Sequence, residues 1–190
     1  MSTNDYHFIT QWRVQNTCEE VSQVLGHAPD LVRWWPSVYL EVQTLAQGQP
    51  NGVGREIGLY TKGWLPYTLR WQFTVTEVNY PYGFSLVAKG DFVGRGIWTF
   101  EQDSQRGTAY TNINYDWKIE AEKPILKHLS FIMKPLFSAN HHWAMRKGEE
   151  SLNLELLRRQ AKTAEERAGI AAPPPPTFAW AIKGYKPVLA

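Results

Sequence analysis

The sequence predicts an α+β domain in which an antiparallel sheet packs against a long C-terminal helix. Apolar residues alternate along one run near the N-terminus and along six further runs between residues 38 and 120, as they do in half-buried strands. Short turn motifs separate the six runs, which is typical of an antiparallel meander. After residue 120 the alternation ends, and helical periodicity continues to about residue 162.

The first elements are a strand and two short helices. The run from Tyr6 to Val14 is rich in β-branched and aromatic residues, which predicts a strand. Thr17, followed by Glu20, has the capping-box spacing of a helix start, and Gly26 is a suitable stop. A second short helix is expected over 29–35, because Pro is favoured in a first turn and another proline follows at once.

The next six strands share one alternation of apolar residues. Turn motifs GQPNGVG, KGWLP, NYPYG, KGD and QDSQRG lie between them. With the first strand they make a seven-stranded sheet with one apolar face. The alternating residues are Val38, Leu40, Val42, Leu69, Trp71, Phe73, Val75, Phe84, Leu86, Phe92, Trp98, Phe100, Ile113, Tyr115, Trp117 and Ile119.

The C-terminal part divides into a helix and a tail. Residues 123–162 have helical character, and Pro135 predicts a bend or a break within them. A run of four prolines follows Ala172, and such a run favours extended polyproline II. We therefore expect one domain over residues 1–162, followed over 163–190 by a Pro-rich linker and an aromatic tail.

Composition excludes several classes of protein. The chain has 190 residues, 14% of them aromatic, with nine tryptophans, which favours a large core or an aromatic-lined cavity. Lys and Arg are scattered and the net charge is only +2, so no nucleic-acid partner is expected. The single cysteine, Cys18, excludes an internal disulfide and a multi-cysteine zinc site. Without a signal-like N-terminus or a long apolar run, we expect a cytoplasmic protein with no transmembrane segment.

Three motifs, together with the order of elements, indicate a fold. They are WWPSVY after the second short helix, GRGIWTF on a late strand and NHHWAMRKGEESL on the closing helix. From Tyr6 to Arg159 the sequence resembles the SRPBCC superfamily of START-like and Bet v 1-like proteins, and it is most similar to the polyketide cyclase/dehydrase and lipid transport-type members. The resemblance implies a helix-grip fold, in which a curved seven-stranded antiparallel sheet wraps around the long C-terminal helix. Because members bind sterols, lipids, quinones, hormones or polyketides, the fold alone does not decide the function.

The resemblance also implies space between the curved sheet and the helix. Gly94 and Gly96 share the inward parity of Trp98 and Phe100. Because glycine has no side chain, two glycines on the inner face would leave space for a ligand. Alternatively, the two glycines mark bulges that bend the strand, and the two interpretations are compatible.

The adjacent histidines of the closing helix are not expected to act together. At ~100° per residue, His141 lies in the middle of an apolar arc, whereas His142 lies in a polar sector with Arg146 and Glu149. Adjacent side chains that point ~100° apart do not converge on one ion. We therefore expect no metal site.

His141 itself has two interpretations. In the structural one, its buried imidazole is hydrogen-bonded to a strand group of Asn112, Asn114 or Tyr115. In the functional one, it orients a carbonyl or hydroxyl of a ligand, since a neutral imidazole both donates and accepts. Catalysis has less support, because a general base needs an orienting partner and a substrate proton within reach.

A second apolar stripe on the helix predicts a docking segment. We expect the aromatic tail to cover it, either within one chain or between two copies in a homodimer, the alternative being a disordered tail. The amphipathic run from Leu126 to Phe137 is expected to form a flap that can touch a membrane surface. The stripe comprises Leu136, Ala139, Trp143, Leu154 and Leu157, and the tail carries Phe178, Trp180, Ile182 and Tyr185.

Together these observations predict a protein that binds a hydrophobic small molecule, such as a lipid, quinone or polyketide, without a cofactor. A cyclase or dehydratase that uses His141 and Tyr115 as acid/base groups is the first alternative, and an assembly protein that binds through its tail is the second. No residue is assigned as catalytic. The motif RWWPSVY is expected at the cavity mouth, where Trp34 or Trp35 would gate entry. Alternatively both are core anchors, an interpretation favoured for at least one of them. The expected ligand contacts are Trp35, Trp71, Phe73, Phe84, Trp98, Tyr115, Trp117, Met133, Phe137, Asn140, His141 and Ala144.

Overall fold

A computed structural model describes residues 5–121, 130–179 and 182. The strands are β1 (Asp5–Val14), β2 (Tyr39–Ala46), β3 (Glu56–Lys62), β4 (Thr68–Asn79), β5 (Gly83–Gly90), β6 (Phe92–Gln105) and β7 (Thr108–Ala121). The helices are α1 (Cys18–Gly26), α2 (Leu31–Trp34), α3 (Ser130–Gln160) and α4 (Ala164–Ala168). A 3₁₀ turn, Ala28–Asp30, precedes α2. No described helix is long and apolar enough to cross a bilayer.

The sheet has the predicted antiparallel topology. Its seven strands are ordered β1-β7-β6-β5-β4-β3-β2, so β2 to β7 form the meander and β1 pairs with the last strand. The inner face buries alternate side chains of β7, among them Ile113, Tyr115 and Trp117. Helix α3 lies on this face, and the helix-grip prediction is confirmed.

The sequence signals at the helix ends act largely as predicted. The Thr17 side chain accepts a hydrogen bond from the backbone N–H of Glu20 at 3.3 Å, which caps α1. The second predicted helix divides into the 3₁₀ turn and α2, which ends at Trp34 before Pro36. Helix α3 runs through Pro135 without a break, so of the predicted bend or break, the break is wrong. A proline six residues into a helix removes only one hydrogen bond near the helix end.

An ion pair and a close contact fasten the C-terminal half of α3. Glu155 is buried and accepts hydrogen bonds from Arg33 at 2.6 and 2.8 Å and from Arg159 at 3.1 Å. Burial raises the pKa of Glu155, but these hydrogen bonds outweigh burial and hold the pKa below its usual value. Nearby, the Trp35 ring lies against Gly148, where an added Cβ would be 2.3 Å from the ring.

Neither interpretation of the two β6 glycines is correct. An added Cβ at Gly96 would lie 2.8 Å from the hydroxyl of Tyr115 and 3.0 Å from Trp117, so aromatic rings fill the space that the glycine leaves. At Gly94, where φ is +155°, an added Cβ would collide with the backbone of β7. The register of β6 with β5 and β7 is continuous at both positions, so there is no bulge. Glycine allows close packing here.

Candidate functional site

A cavity of about 90 Å³ lies between the N-terminal half of α3 and the inner face of the sheet. Most of its wall is apolar. A water molecule takes about 30 Å³ of liquid, so the cavity is small beside the ~300 Å³ of a typical ligand pocket. It is lined by Trp35, Val38, Tyr39, Thr61, Lys62, Gly63, Leu69, Trp71, Phe92, Tyr115, Trp117, Ile119, Phe137, Asn140, His141, Ala144 and Met145.

The structure brings together most of the residues that the sequence predicted as ligand contacts. Those that line the cavity are Trp35, Trp71, Tyr115, Trp117, Phe137, Asn140, His141 and Ala144. Phe73 and Phe84 line a different cavity beside α1, and Trp98 lines neither. The side chain of Met133 and most of the predicted flap lie outside the described part of the structure.

Several wall residues were not predicted. Strand parity could have found Leu69, Phe92 and Ile119, which belong to the alternating set. Parity could not have found Lys62, because Thr61 and Lys62 are consecutive and both buried. The end of a strand breaks the alternation on which the prediction depends.

His141 belongs to the cavity wall and leaves one ring nitrogen without a partner. Its ring stacks on Phe8, with the ring centres 4.0 Å apart. Among the described residues, its buried Nε2 has no hydrogen-bond partner, so the predicted hydrogen bond to Asn112, Asn114 or Tyr115 is wrong. Burial, with a smaller effect of His142, lowers the pKa of His141 to about 3. The ring is therefore uncharged near neutral pH.

Two further side chains add polarity to the wall. Trp35 is buried rather than placed at the mouth, and its Nε1 also lacks a partner among the described residues. Tyr115 stacks on Trp98 at 3.9 Å. Burial, followed by the charges of Tyr39 and Asp116, raises the pKa of Tyr115 well above its usual value. These three groups are neutral, and the ammonium group of Lys62, which also belongs to the wall, is engaged by Thr177. The polar part of the wall around His141 therefore suits an uncharged guest.

The loop between β3 and β4 is tied to α3 beside the cavity. The side-chain oxygen of Asn140 accepts the backbone N–H of Leu65 at 3.2 Å. Gly63 passes so close that an added Cβ would overlap the Asn140 amide. Asn140 therefore holds the loop over the cavity, and its oxygen is already engaged there.

The segment Pro173–Phe178, which we call the strap, docks on the same loop. Thr177 Oγ1 accepts a hydrogen bond from Lys62 Nζ at 2.8 Å and lies within hydrogen-bond distance of the carbonyls of Gly63 and Trp64. Lys62 Nζ also donates to the backbone carbonyl of Thr177. Lys62 is only 3% exposed, and burial lowers the pKa of its ammonium group.

The strap is the described part of the tail that makes these contacts, and it does not cover the apolar stripe that the sequence predicted as the docking surface. Ala139 and Leu157, in the second apolar stripe of α3, remain exposed. The strap instead lies beside two residues of the cavity wall, Lys62 and Gly63. Trp180 and Tyr185 lie outside the described residues.

The buried neutral state of His141 predicts a pH-dependent stability. Below pH ~6.5 the unfolded chain binds a proton at this ring that the folded chain does not, down to a pKa of about 3. The free energy of unfolding should therefore fall by up to about 1.4 kcal/mol for each unit by which the pH is lowered in this window. Urea unfolding between pH 7 and pH 4 should show a shallower loss for His141→Gln than for the wild type. His142→Gln, on the exposed side of the helix, is the control, and equal slopes for His141→Gln and wild type would contradict the assignment.

Comparison with known proteins shows the fold. No protein-family model matches the chain, and no curated protein matches its sequence. Among solved structures, ZhuI aromatase/cyclase from Streptomyces sp. R1128 is similar with a TM-score of 0.59 and 13% identity, over 88% of this chain and 99% of that one. TTHA0849 from Thermus thermophilus has a TM-score of 0.59 and 14% identity, over 82% and 100%.

A third similar structure comes from a plant. It is norcoclaurine synthase from Thalictrum flavum, a point mutant in complex with a transition-state analogue, with a TM-score of 0.56 and 13% identity, over 83% of this chain and 97% of that one. Identities this low carry information on architecture only. The chain has the helix-grip fold that these structures share, as the order of its elements and its motifs predicted.

Proposed function

We propose that the cavity between α3 and the sheet binds an uncharged hydrophobic small molecule that carries a carbonyl or hydroxyl group. The unpartnered Nε2 of His141 carries this proposal. An unsatisfied buried polar atom costs about 1–3 kcal/mol, and a ligand oxygen would remove that cost. Trp35 Nε1 can donate to the same kind of oxygen. A lipid, quinone or polyketide has this chemistry.

The apolar wall provides the driving force for binding. Burial of apolar surface contributes about 25 cal/mol per Å² before the entropy losses of association. The aromatic rings of Trp71, Trp117 and Phe137 are part of this apolar wall. The similar plant enzyme was solved with a transition-state analogue, which supports binding of small molecules by this fold.

The size of the cavity means that binding requires an opening movement. A volume of about 90 Å³ does not hold a lipid-sized molecule. The β3–β4 loop is the wall segment fastened by side-chain hydrogen bonds from both α3 and the strap. We therefore assign the closed state to this arrangement, and ligand exchange requires the loop and the strap to move apart from α3.

The alternative of a cyclase or dehydratase has less support. An acid/base catalyst works best when its pKa lies near the working pH. The pKa of His141 is lowered to about 3 and that of Tyr115 is raised well above 10. Both groups therefore hold their neutral forms near pH 7, which suits hydrogen bonding to a ligand better than proton transfer.

A cavity-filling substitution tests the binding proposal. Ala144→Phe should place a ring in the cavity and weaken binding of the neutral dye N-phenyl-1-naphthylamine at least tenfold, because the guest and the ring compete for one space. Dye fluorescence in a titration measures the affinity. Ala139→Phe, on the exposed side of the same helix, is the matched control and should bind as the wild type does. Unchanged binding by a folded Ala144→Phe variant would overturn the proposal.

A conservative change in the strap tests the opening movement. Thr177→Val removes the hydroxyl that Lys62 contacts and leaves a buried ammonium group with one fewer acceptor. We expect dye association and dissociation, followed by stopped-flow fluorescence, to become several-fold faster. Thr99→Val, an exposed change on β6, should leave both rates unchanged. Wild-type rates in the Thr177→Val protein would exclude the strap from ligand exchange.

A further inference from the structure

A second cavity, of about 300 Å³, lies at the other end of the sheet's inner face, between β4, β5 and the C-terminal end of α1. Its floor is apolar and consists of Leu25, Phe73, Val75, Val78 and Phe84. This volume is within the range of small-molecule sites. Phe73 and Phe84, two residues that the sequence predicted as ligand contacts, belong to this cavity.

Arg55 supplies a positive charge at the rim. Its hydrogen bonds are long, 3.4 Å from Nη1 to the carbonyl of Gly26 and 3.5 Å from Nε to the carbonyl of Gln47. At these distances the bonds are weak. No carboxylate of the described residues forms an ion pair with Arg55, and no acidic residue lines the cavity. Several of its five N–H donors are therefore available.

The rim that carries Arg55 is held in place before any ligand binds. In the β2–β3 loop, the N–H of Gln49 donates to Val53 and the N–H of Gly52 donates back to Gln49, both at 2.8 Å. The N–H of Gly54 donates to the carbonyl of Val75 on the cavity floor at 2.8 Å. The Arg55 guanidinium lies over Gly52, with Nη2 3.7 Å from the place of an added Cβ. A loop whose backbone is already ordered loses less entropy when a ligand binds.

We propose that this cavity is a second binding site, for a small carboxylic acid with an aromatic or alkyl body. The apolar body packs on Phe73, Val78 and Phe84, while Arg55 binds the carboxylate in the two-point geometry that guanidinium and carboxylate groups share. In the first cavity the polar groups around His141 are neutral, and the one cation of the wall, Lys62, already donates to Thr177 of the strap. The two sites therefore select different chemistry, one an uncharged guest and the other an anion.

The test uses 4-phenylbutyrate and its uncharged analogue 4-phenylbutan-1-ol as probes. Each is titrated into the ¹⁵N-labelled full chain, and the amide signals of Gly52 and Val78 report the second site, whereas those of Gly63 and Ala144 report the first. We expect the acid to shift the first pair of signals. Arg55→Gln should weaken its binding at least tenfold, Arg55→Lys should restore part of the affinity, and the alcohol should bind the second site at least tenfold more weakly than the acid.

Two control variants test whether binding of the acid depends on Arg55 and not on any positive charge, and whether it is independent of the first cavity. Arg146→Gln removes an exposed positive charge elsewhere and should leave the affinity for the acid unchanged. Ala144→Phe should also leave it unchanged, so failure of the first site would not affect this result. Val78→Phe should fill the cavity and abolish binding even if Arg55→Gln proves unstable. Equal affinity of the wild type and a folded Arg55→Gln variant, shifts confined to Gly63 and Ala144, or no shift at millimolar acid would each overturn the proposal.

Discussion

The arrangement of helix and sheet depends on the contact between Trp35 and Gly148. No larger residue than glycine fits at this point of α3, because an added Cβ would lie 2.3 Å from the ring. Beyond it the helix is tightly packed, with Leu152 fully buried and Glu155 clamped by Arg33. The cavity lies on the other side of the contact, along the stretch from Phe137 to Met145. The Trp35 ring thus separates the closely packed half of the interface between α3 and the rest of the domain from the half that contains the cavity.

This division lets one half of α3 stabilise the fold while the other half forms the wall of the cavity. Close packing in the C-terminal half stabilises the grip, so the N-terminal half can leave polar atoms such as His141 Nε2 unsatisfied. The β3–β4 loop and the strap close that half through Asn140 and Lys62. The second cavity lies where α1 ends. Among the described residues, Arg55 in its wall forms no ion pair with a carboxylate. At one end of the sheet the cation Lys62 is therefore engaged by the strap, whereas at the other end Arg55 keeps donors available for a ligand.

Sequence patterns predicted the fold and the faces of its elements, but not the spaces between them. Alternation identified the strands, and helical spacing correctly separated His141 from the exposed His142. Parity tells which face of the sheet a side chain occupies, but not how far along the strand a cavity lies. The sequence therefore grouped Phe73 and Phe84 with the first cavity, although both line the second. Lys62 and the strap depend on contacts between residues more than 110 positions apart in the chain, which no local pattern encodes.

The proposed function requires that the space between α3 and the sheet is hollow, apolar and able to accept a guest. Diffraction from crystals held under xenon pressure tests it directly, because xenon enters dry apolar cavities. A xenon atom is expected between Trp71, Phe137 and His141, and it should be absent from the Ala144→Phe protein. Side chains packed through this space, with no xenon bound there at any pressure that the crystals tolerate, would contradict it.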